Sequence, residues 1–272
     1  MATWNAFASA LFDVLLAPFG HGPAWFDLLL WPALAGVLAL LVYKRLSNQA
    51  GIQRAKNRIA AHLYEIRLFR HDPLVVLGAT GRIFLRNGAY VGHNLIPLAV
   101  LLIPMLVILT QLVSHYAFAP VPVGSVELLE LRLDPKSGVA ARDVRLELPA
   151  GVALDAPPVR TADGEIFWRL RAEAPGDHVL ALHVGGETLT KGWAVGGEAR
   201  KVPVMRTRTW EALLYPGEPA LPATSAVQTI AFVHPARDLG LLPGGELGIL
   251  ATFFGVSLLV GFSLKGLFGV TL

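Results

Sequence analysis

The sequence predicts a membrane protein of the α plus β class, with three transmembrane helices, a cytoplasmic helical hairpin and an exoplasmic β-sandwich. The chain has 272 residues, of which 54% are hydrophobic and only 16% charged, whereas about 25% of a soluble domain is charged. Three apolar stretches are each long enough to cross a bilayer. Between the second and the third, short segments alternate apolar and polar residues, which is typical of strands.

Residues 1–20 carry apolar side chains at spacings of three to four, which predicts an amphipathic helix. The segment is too short to span a membrane. It also lacks the basic start of a secretory signal, because Lys44 is the first Lys or Arg of the chain,. We interpret it as a helix that lies in the interface on the outer side of the membrane. A helix docked on other protein is an equally good interpretation.

The three predicted spans are residues 25–43, 95–113 and 247–264. Asp27 lies close to the outer end of the first span, where we expect it to reach water. A stretch of this length makes a helix of roughly 28 Å, about the thickness of one hydrocarbon core. Pro97 and Pro104 in the second span predict a kink or a tight neighbour.

Residues 44–94 form the predicted basic hairpin. Residues 44–95 contain nine Lys or Arg and two acids, which places the segment in the cytoplasm by the positive-inside rule. A 3–4 spaced apolar stripe predicts a helix over 48–70. Asp72 is the expected N-cap of a second helix that starts at Pro73 and runs towards Gly92.

Residues 116–243 are expected to form a periplasmic β-sandwich of seven strands. Its expected exposed loops are rich in Pro, Ala and Gly and cover residues 149–164 and 215–226. Residues 114–246 contain thirteen Lys or Arg and sixteen acids, so this part is not basic. The stretch APGDHVLALHV resembles the loop-to-strand corner of immunoglobulin-like domains, with His178 where a Tyr is usual. The resemblance implies an immunoglobulin-like sandwich.

These charges predict the orientation and location of the chain. We expect the N-terminus outside, the sandwich in the periplasm and the C-terminus in the cytoplasm, in a bacterial inner membrane. The third span carries small residues that would let another helix approach closely, and they are Gly248, Gly255 and Gly261.

The sequence predicts no catalytic chemistry. It has no cysteine, which excludes thiolate metal sites and a Cys nucleophile, and it has none of the common nucleotide-binding, hydrolase or zinc-protease motifs. No ionisable residue lies at the centre of a predicted span, which disfavours transport. We therefore expect no enzyme, no cofactor and no metal.

The hairpin is the best candidate for a working surface. Its charges either serve only to fix topology and meet anionic lipid at the cytoplasmic face, or they dock a partner. Besides the lipid bilayer, the expected partners are other membrane protein subunits, and DNA is not expected. The candidate partner or lipid docking residues are Lys44, Arg45, Arg54, Lys56, Arg58, Arg67 and Arg70.

A span, a basic hairpin over Lys44 to Pro73 and a returning proline-containing span over Asn94 to Val113 resemble the core of the YidC–Oxa insertase superfamily. The chain also resembles uncharacterised bacterial three-span membrane proteins with an outer β domain. The sequence favours a non-catalytic scaffold or accessory subunit of a larger membrane complex. The alternatives are a YidC-type insertase or assembly chaperone, as the first resemblance implies, and an outer binding module.

Overall fold

The computed structural model describes Phe7 and residues 10–15, 24–198 and 200–270. The interfacial helix predicted over 1–20 lies largely outside these residues, although Phe7 and residues 10–15 are helical. The long helices are α1 (Ala24–Leu46), α2 (Gln49–Leu68), α3 (Pro73–Tyr116) and α4 (Gly245–Leu264).

Three of these helices are long and apolar enough to cross a membrane. They are α1, α3 and α4, and they contain the three predicted spans. Together with the β domain described below, they confirm the helical and β parts of the predicted fold class and indicate a membrane protein.

The second hairpin helix and the second span are one continuous helix, where the sequence suggested two segments. α3 has 44 residues and is therefore roughly 66 Å long, about twice what a bilayer core requires. The glycines before residue 94 weaken a helix by only about 1 kcal/mol each, and no turn signal interrupts it. The Asn94 side chain donates to the Tyr90 carbonyl oxygen at 2.6 Å, within the helix.

Among the described residues, the β domain has eight strands in two antiparallel sheets. The larger sheet has the order β3-β4-β1-β8-β7 and the smaller one β2-β5-β6. The strands are β1 (Val126–Leu133), β2 (Arg145–Glu147), β3 (Val152–Arg160), β4 (Glu165–Ala172), β5 (Gly176–Val184), β6 (Glu187–Val195), β7 (Met205–Thr207) and β8 (Val227–Phe232).

Strand β3 was not predicted, because residues 149–164 read as a Pro- and Ala-rich loop. β3 lies at an edge of its sheet, the position where proline is tolerated since it needs no partner for a missing N–H. Its pairing with β4 shifts register between Leu154 and Ala156 and again between Ala156 and Val159. Pro157 and Pro158 fall within the second shift, so the ladder bulges around them.

Side chains from both sheets form a single apolar core that includes Leu131, Trp168, Leu180 and Trp193. By contacts between Cα atoms, the chain divides into two compact units. One comprises Met1–Leu28 and Leu109–Thr252, with the β domain, and the other comprises Leu29–Ile108 and Phe253–Leu272, with the hairpin.

Candidate docking site on the helical hairpin

Helices α2 and α3 form an antiparallel hairpin, as three contacts along it show. Near the tip, Arg82 donates to Glu65 at 2.7 Å. Further down, the Lys56 ammonium lies 5.7 Å from the centre of the Tyr90 ring. At the base, Gly51 packs so closely on His93 that an added Cβ would lie 2.9 Å from its Nε2 atom.

A polar N-cap side chain begins each of the two helices of the hairpin. Asn48 is the N-cap of α2, and its Oδ1 atom accepts from the Gly51 N–H at 2.9 Å. Asp72 accepts from the N–H groups of Leu74 and Val75 at 3.0 and 3.3 Å. The predicted N-cap role of Asp72, with Pro73 as first helical residue, is thus confirmed,.

The hairpin is fixed to the end of α1 by a polar contact. The Tyr43 hydroxyl donates to the side-chain oxygen of Asn94. Tyr43, Ile52 and Leu101 belong to a buried apolar cluster that joins α1, α2 and α3. The base of the hairpin is therefore packed, while most side chains towards its tip are exposed.

The predicted basic residues do not form one patch. Arg54 and Arg58 line a cleft of about 200 Å³ together with Arg86. Lys44 and Arg45 line a separate cleft of about 570 Å³ on the last turns of α1.

The other three basic residues lie apart from both clefts. Lys56 faces Tyr90, Arg67 is in the last turn of α2, and Arg70 donates to the His71 ring at 3.2 Å. Proximity in the sequence therefore did not predict which of the seven basic residues share a site.

Sequence reasoning missed Arg86 and His93, which line the Arg54 cleft. Their spacing of seven residues places them on one face of α3, and this spacing could have been recognised in the sequence. Pairing them with Arg54 requires the register of the hairpin, and that register depends on contacts between residues far apart in the sequence.

The outer face of α3 is apolar and exposed. It consists of residues at alternating spacings of three and four, namely Leu74, Leu77, Gly81, Phe84, Gly88, Val91 and Leu95. The exposed fractions of Leu77, Phe84 and Leu95 are 72%, 72% and 60%. An added Cβ at Gly81 or Gly88 meets no atom within 4 Å. The described chain thus leaves this face uncovered.

The predicted apolar stripe of α2 is buried only at its base. Ile52 and Ala55 are 0% and 6% exposed, whereas Leu63 is 55% exposed. The stripe therefore packs against the chain near the base of the hairpin and is open towards the tip.

The glycines of α4 differ in surroundings. Gly248 is a local requirement of the turn before α4, because a Cβ there would lie 2.2 Å from the Pro243 carbonyl oxygen. Gly255 and Gly261 have open space around them, so their role in packing another helix stays a prediction. Helices α1 and α4 make a close contact at Gly36, where an added Cβ would lie 2.5 Å from the Ser257 carbonyl oxygen.

The C-terminal end of α3 carries a buried polar contact that the sequence did not indicate. Asp27, which we expected to reach water, is 1% exposed and accepts a hydrogen bond from the Tyr116 hydroxyl. The Arg237 guanidinium lies 5.4 Å from the Tyr116 ring centre. Proximity to the end of a span did not predict exposure, because the loop that carries Arg237 covers this end.

The β domain holds a second buried polar group. The Lys191 ammonium is fully buried, pairs with Glu218 and donates to the Pro203 carbonyl oxygen at 2.6 Å. Burial lowers the pKa of Lys191, and the Glu218 carboxylate opposes this shift. Burial and the nearby Lys191 charge lower the pKa of His234 to about 4.

These groups are enclosed in protein. Trp193 stacks on Phe232 with ring centres 4.9 Å apart, and the rings of His234 and Phe232 make a T-shaped contact with centres 6.1 Å apart. His234 is 6% and Trp193 1% exposed. Such burial is typical of a structural network in a core.

No site for a metal emerges from the residues that the structure describes, since no three His, Asp or Glu side chains cluster there. His178 and His183 lie on opposite faces of β5, because their spacing of five residues is odd and side chains alternate along a strand,. The His178 ring bonds the Ala174 carbonyl oxygen at 2.8 Å, and His183 contacts Glu147 at 3.1 Å.

The described residues define a class of protein with three helices apolar enough to cross a membrane, a β domain inserted between the second and the third of them, and a basic helical hairpin. Comparison of the chain with models of known protein families, with curated proteins and with solved structures found no match.

Proposed function

We propose that the protein is a non-catalytic scaffold or accessory subunit that docks with and stabilises a larger membrane complex through the outer face of α3. The observation that carries the proposal is the exposure of this face along the hairpin. Leu74, Leu77 and Phe84 lie outside the predicted span, and each is more than two-thirds exposed. Burying a side chain of this size contributes about 1.5–3 kcal/mol, so the face gains much from a partner.

The character of the face favours a helix as the occupant. Gly81 and Gly88 let another backbone approach closely, and no charged residue occurs in the 3–4 spaced series. The series continues through Leu95 to Leu98 and Leu102, which are both 64% exposed. A partner helix that continues from its own membrane span out of the bilayer would match this face of α3 along the whole length of the face.

Charge argues for a different subunit over a second copy of this chain. Two copies oriented alike in one membrane would bring their hairpins together, each with nine Lys or Arg and two acids between residues 44 and 95. Like charges placed side by side oppose association. A partner with a neutral or acidic surface avoids this cost.

Co-purification from native membranes in mild detergent tests the proposal. The variant Leu77→Glu/Phe84→Glu should release the partner subunits that the unaltered protein retains. Gln53→Glu/Asn57→Glu is the matched control, since it adds the same two charges at exposed positions of α2 and should release nothing. An unaltered protein that purifies alone, or equal release by both variants, would contradict the proposal.

The orientation belongs to the same proposal, with the N-terminus outside, the hairpin in the cytoplasm and the C-terminus inside, in a bacterial inner membrane. The charge difference between residues 44–95 and 114–246 supports it,. The cysteine-free chain allows a direct test with a membrane-impermeant thiol reagent on intact spheroplasts. Asp163→Cys in the β domain should react, and Gln53→Cys should react only after lysis; the reverse pattern would refute the orientation.

The strand orders support an immunoglobulin-like β domain. β3-β4-β1 and β2-β5-β6 correspond to the D-E-B and C-F-G orders of that fold. The bond from His178 to the carbonyl oxygen four residues upstream occupies the place of the tyrosine corner. An experimental structure with a different strand order would overturn this assignment.

The alternative is a YidC-type insertase or assembly chaperone. The observation that favours it is the 570 Å³ cleft at the end of α1, which Lys44 and Arg45 line. In reconstituted vesicles, an insertase would integrate a small membrane protein faster than empty vesicles do, and Lys44→Gln/Arg45→Gln would abolish the gain. A scaffold gives no acceleration with or without the substitutions.

A further inference from the structure

The cleft at the base of the hairpin is strongly basic and differs from the outer face of α3. It lies where the start of α2 packs on the middle of α3, and its volume is about 200 Å³. The residues that matter for its chemistry are Asn48, Gly51, Arg54, Arg58, Arg86 and His93. No carboxylate lines it.

The three guanidinium groups have no counter-charge within the described chain. The two acids of the hairpin are engaged elsewhere, since Glu65 pairs with Arg82 and His62 and Asp72 caps α3. Arg54 donates to the Ala50 carbonyl oxygen at 3.2 Å, which leaves its charge unbalanced. Three like charges around one cleft repel each other, and an anion would relieve that repulsion.

The backbone at the base of the cleft also favours an anion. Asn48 and Gly51 form the first turn of α2, where the helix dipole is positive. Gly51 has no side chain to fill the cleft, and a Cβ there would lie 2.9 Å from both the Asn48 amide and His93 Nε2. The glycine thus keeps the first turn of α2 bare and close to His93.

The position of the cleft indicates where its anion comes from. Along α1 and α2, Asn48 follows the end of the first predicted span by five residues, and along α3, His93 precedes the second by two. Both helices therefore place the base of the cleft, at Asn48 and His93, at the level of lipid headgroups, and the arginines line the part of the cleft that extends away from the spans,. Ile96 lies one turn beyond His93 on the same side of α3 and is 68% exposed, which suits an acyl chain.

We propose that this cleft binds the phosphate group of an anionic phospholipid. Arginine forks match the oxygens of a phosphate with paired N–H donors, and Arg58 and Arg86 from the two helices would hold it from opposite sides. Bound lipid would then fasten α2 to α3 at the base of the hairpin. This inference rests on the proposed insertion of α1 and α3 into the membrane, but not on the docking of a partner.

Titration of the purified full-length protein in neutral detergent tests the proposal, with native mass spectrometry and thermal stability as readouts. The probes are short-chain phosphatidylglycerol, short-chain phosphatidylcholine and inorganic phosphate. Phosphatidylglycerol should bind and raise the melting temperature, and phosphatidylcholine should do so more weakly. Arg58→Gln/Arg86→Gln should weaken phosphatidylglycerol binding about a hundredfold, because each lost charge-assisted hydrogen bond lowers the affinity about tenfold or more.

The matched control is Arg67→Gln/Arg70→Gln, which removes the same charge from the same hairpin outside the cleft. It should bind phosphatidylglycerol as the unaltered protein does. Equal losses in both variants, or equal binding of the two lipids, would overturn a specific site. Tight binding of inorganic phosphate without phosphatidylglycerol would overturn the lipid as source. A failed partner co-purification would leave all these outcomes unchanged, so the two proposals fail separately.

Discussion

Gly36 of α1 lies against the Ser257 carbonyl of α4 so closely that a Cβ added to the glycine would stand 2.5 Å from the oxygen. Real Cβ atoms do not approach backbone oxygens to this distance, so the two helices meet only because residue 36 lacks a side chain. Close contact through small residues is the common way for membrane helices to associate.

Replacing Gly36 by Leu should therefore force α1 and α4 apart. We expect a loss of about 1–3 kcal/mol, the usual cost of overpacking, seen as a lower melting temperature in detergent. Gly255→Leu is the matched control on α4, because space is open around Gly255, and its melting temperature should stay near that of the unaltered protein. If both substitutions lower it equally, the contact at Gly36 is not what joins these helices.

Glu218→Gln should destabilise the β domain by about 3–5 kcal/mol. The substitution leaves the Lys191 ammonium, which is 0% exposed, without its counter-charge, and an unpaired buried charge carries a penalty of this size. Denaturant unfolding of the full chain, followed by near-ultraviolet circular dichroism, measures the loss.

The control for that substitution is Glu147→Gln, at the exposed pair with His183. It should cost less than about 1 kcal/mol, as exposed pairs do. A loss for Glu218→Gln as small as that for Glu147→Gln would show that the buried pair contributes little.

His234 should make the β domain less stable in mild acid. Its pKa is about 4 in the folded chain against 6.5 for an unperturbed His. Well above pH 6.5 the group is neutral in both states. As the pH falls from 6.5 towards 4, the unfolded chain binds a proton that the folded chain does not, and stability falls by up to about 3 kcal/mol,.

Comparing His234→Gln with the unaltered protein isolates this contribution from that of the carboxyl groups. The variant should lose less stability than the unaltered protein between pH 6.5 and 4. His71→Gln, at an exposed position of the hairpin, should keep the full loss. An unchanged pH dependence in His234→Gln would refute the assignment to this residue.

The sequence predicted the elements of the fold better than their connections. Period-two alternation located most strands, but β3 was missed because Pro157 and Pro158 read as a loop. They are tolerated only because β3 lies at an edge of its sheet,, and sheet order depends on pairing between distant segments. The same limit applies to α3. Composition predicted a hairpin helix and a separate span, whereas the backbone forms one continuous helix.

The candidate site was predicted in part for a similar reason. Arg54 and Arg58 were recognised by their charge, but Arg86 was not assigned to them, because only the register of α2 against α3 brings the three together. Asp27 was expected in water and is buried against Tyr116, a contact between residues far apart in the chain. Charge and periodicity are local properties, and neither reports such contacts.

Site-specific photo-crosslinking in native membranes tests most directly the claim that the outer face of α3 docks another subunit. A photoreactive amino acid replaces Phe84 on that face or, as the control, Gln53 on the exposed side of α2. We predict a crosslink from position 84 to a different membrane protein and none to that protein from position 53. Adducts at position 84 with lipid alone, or with a second copy of this chain, would contradict it.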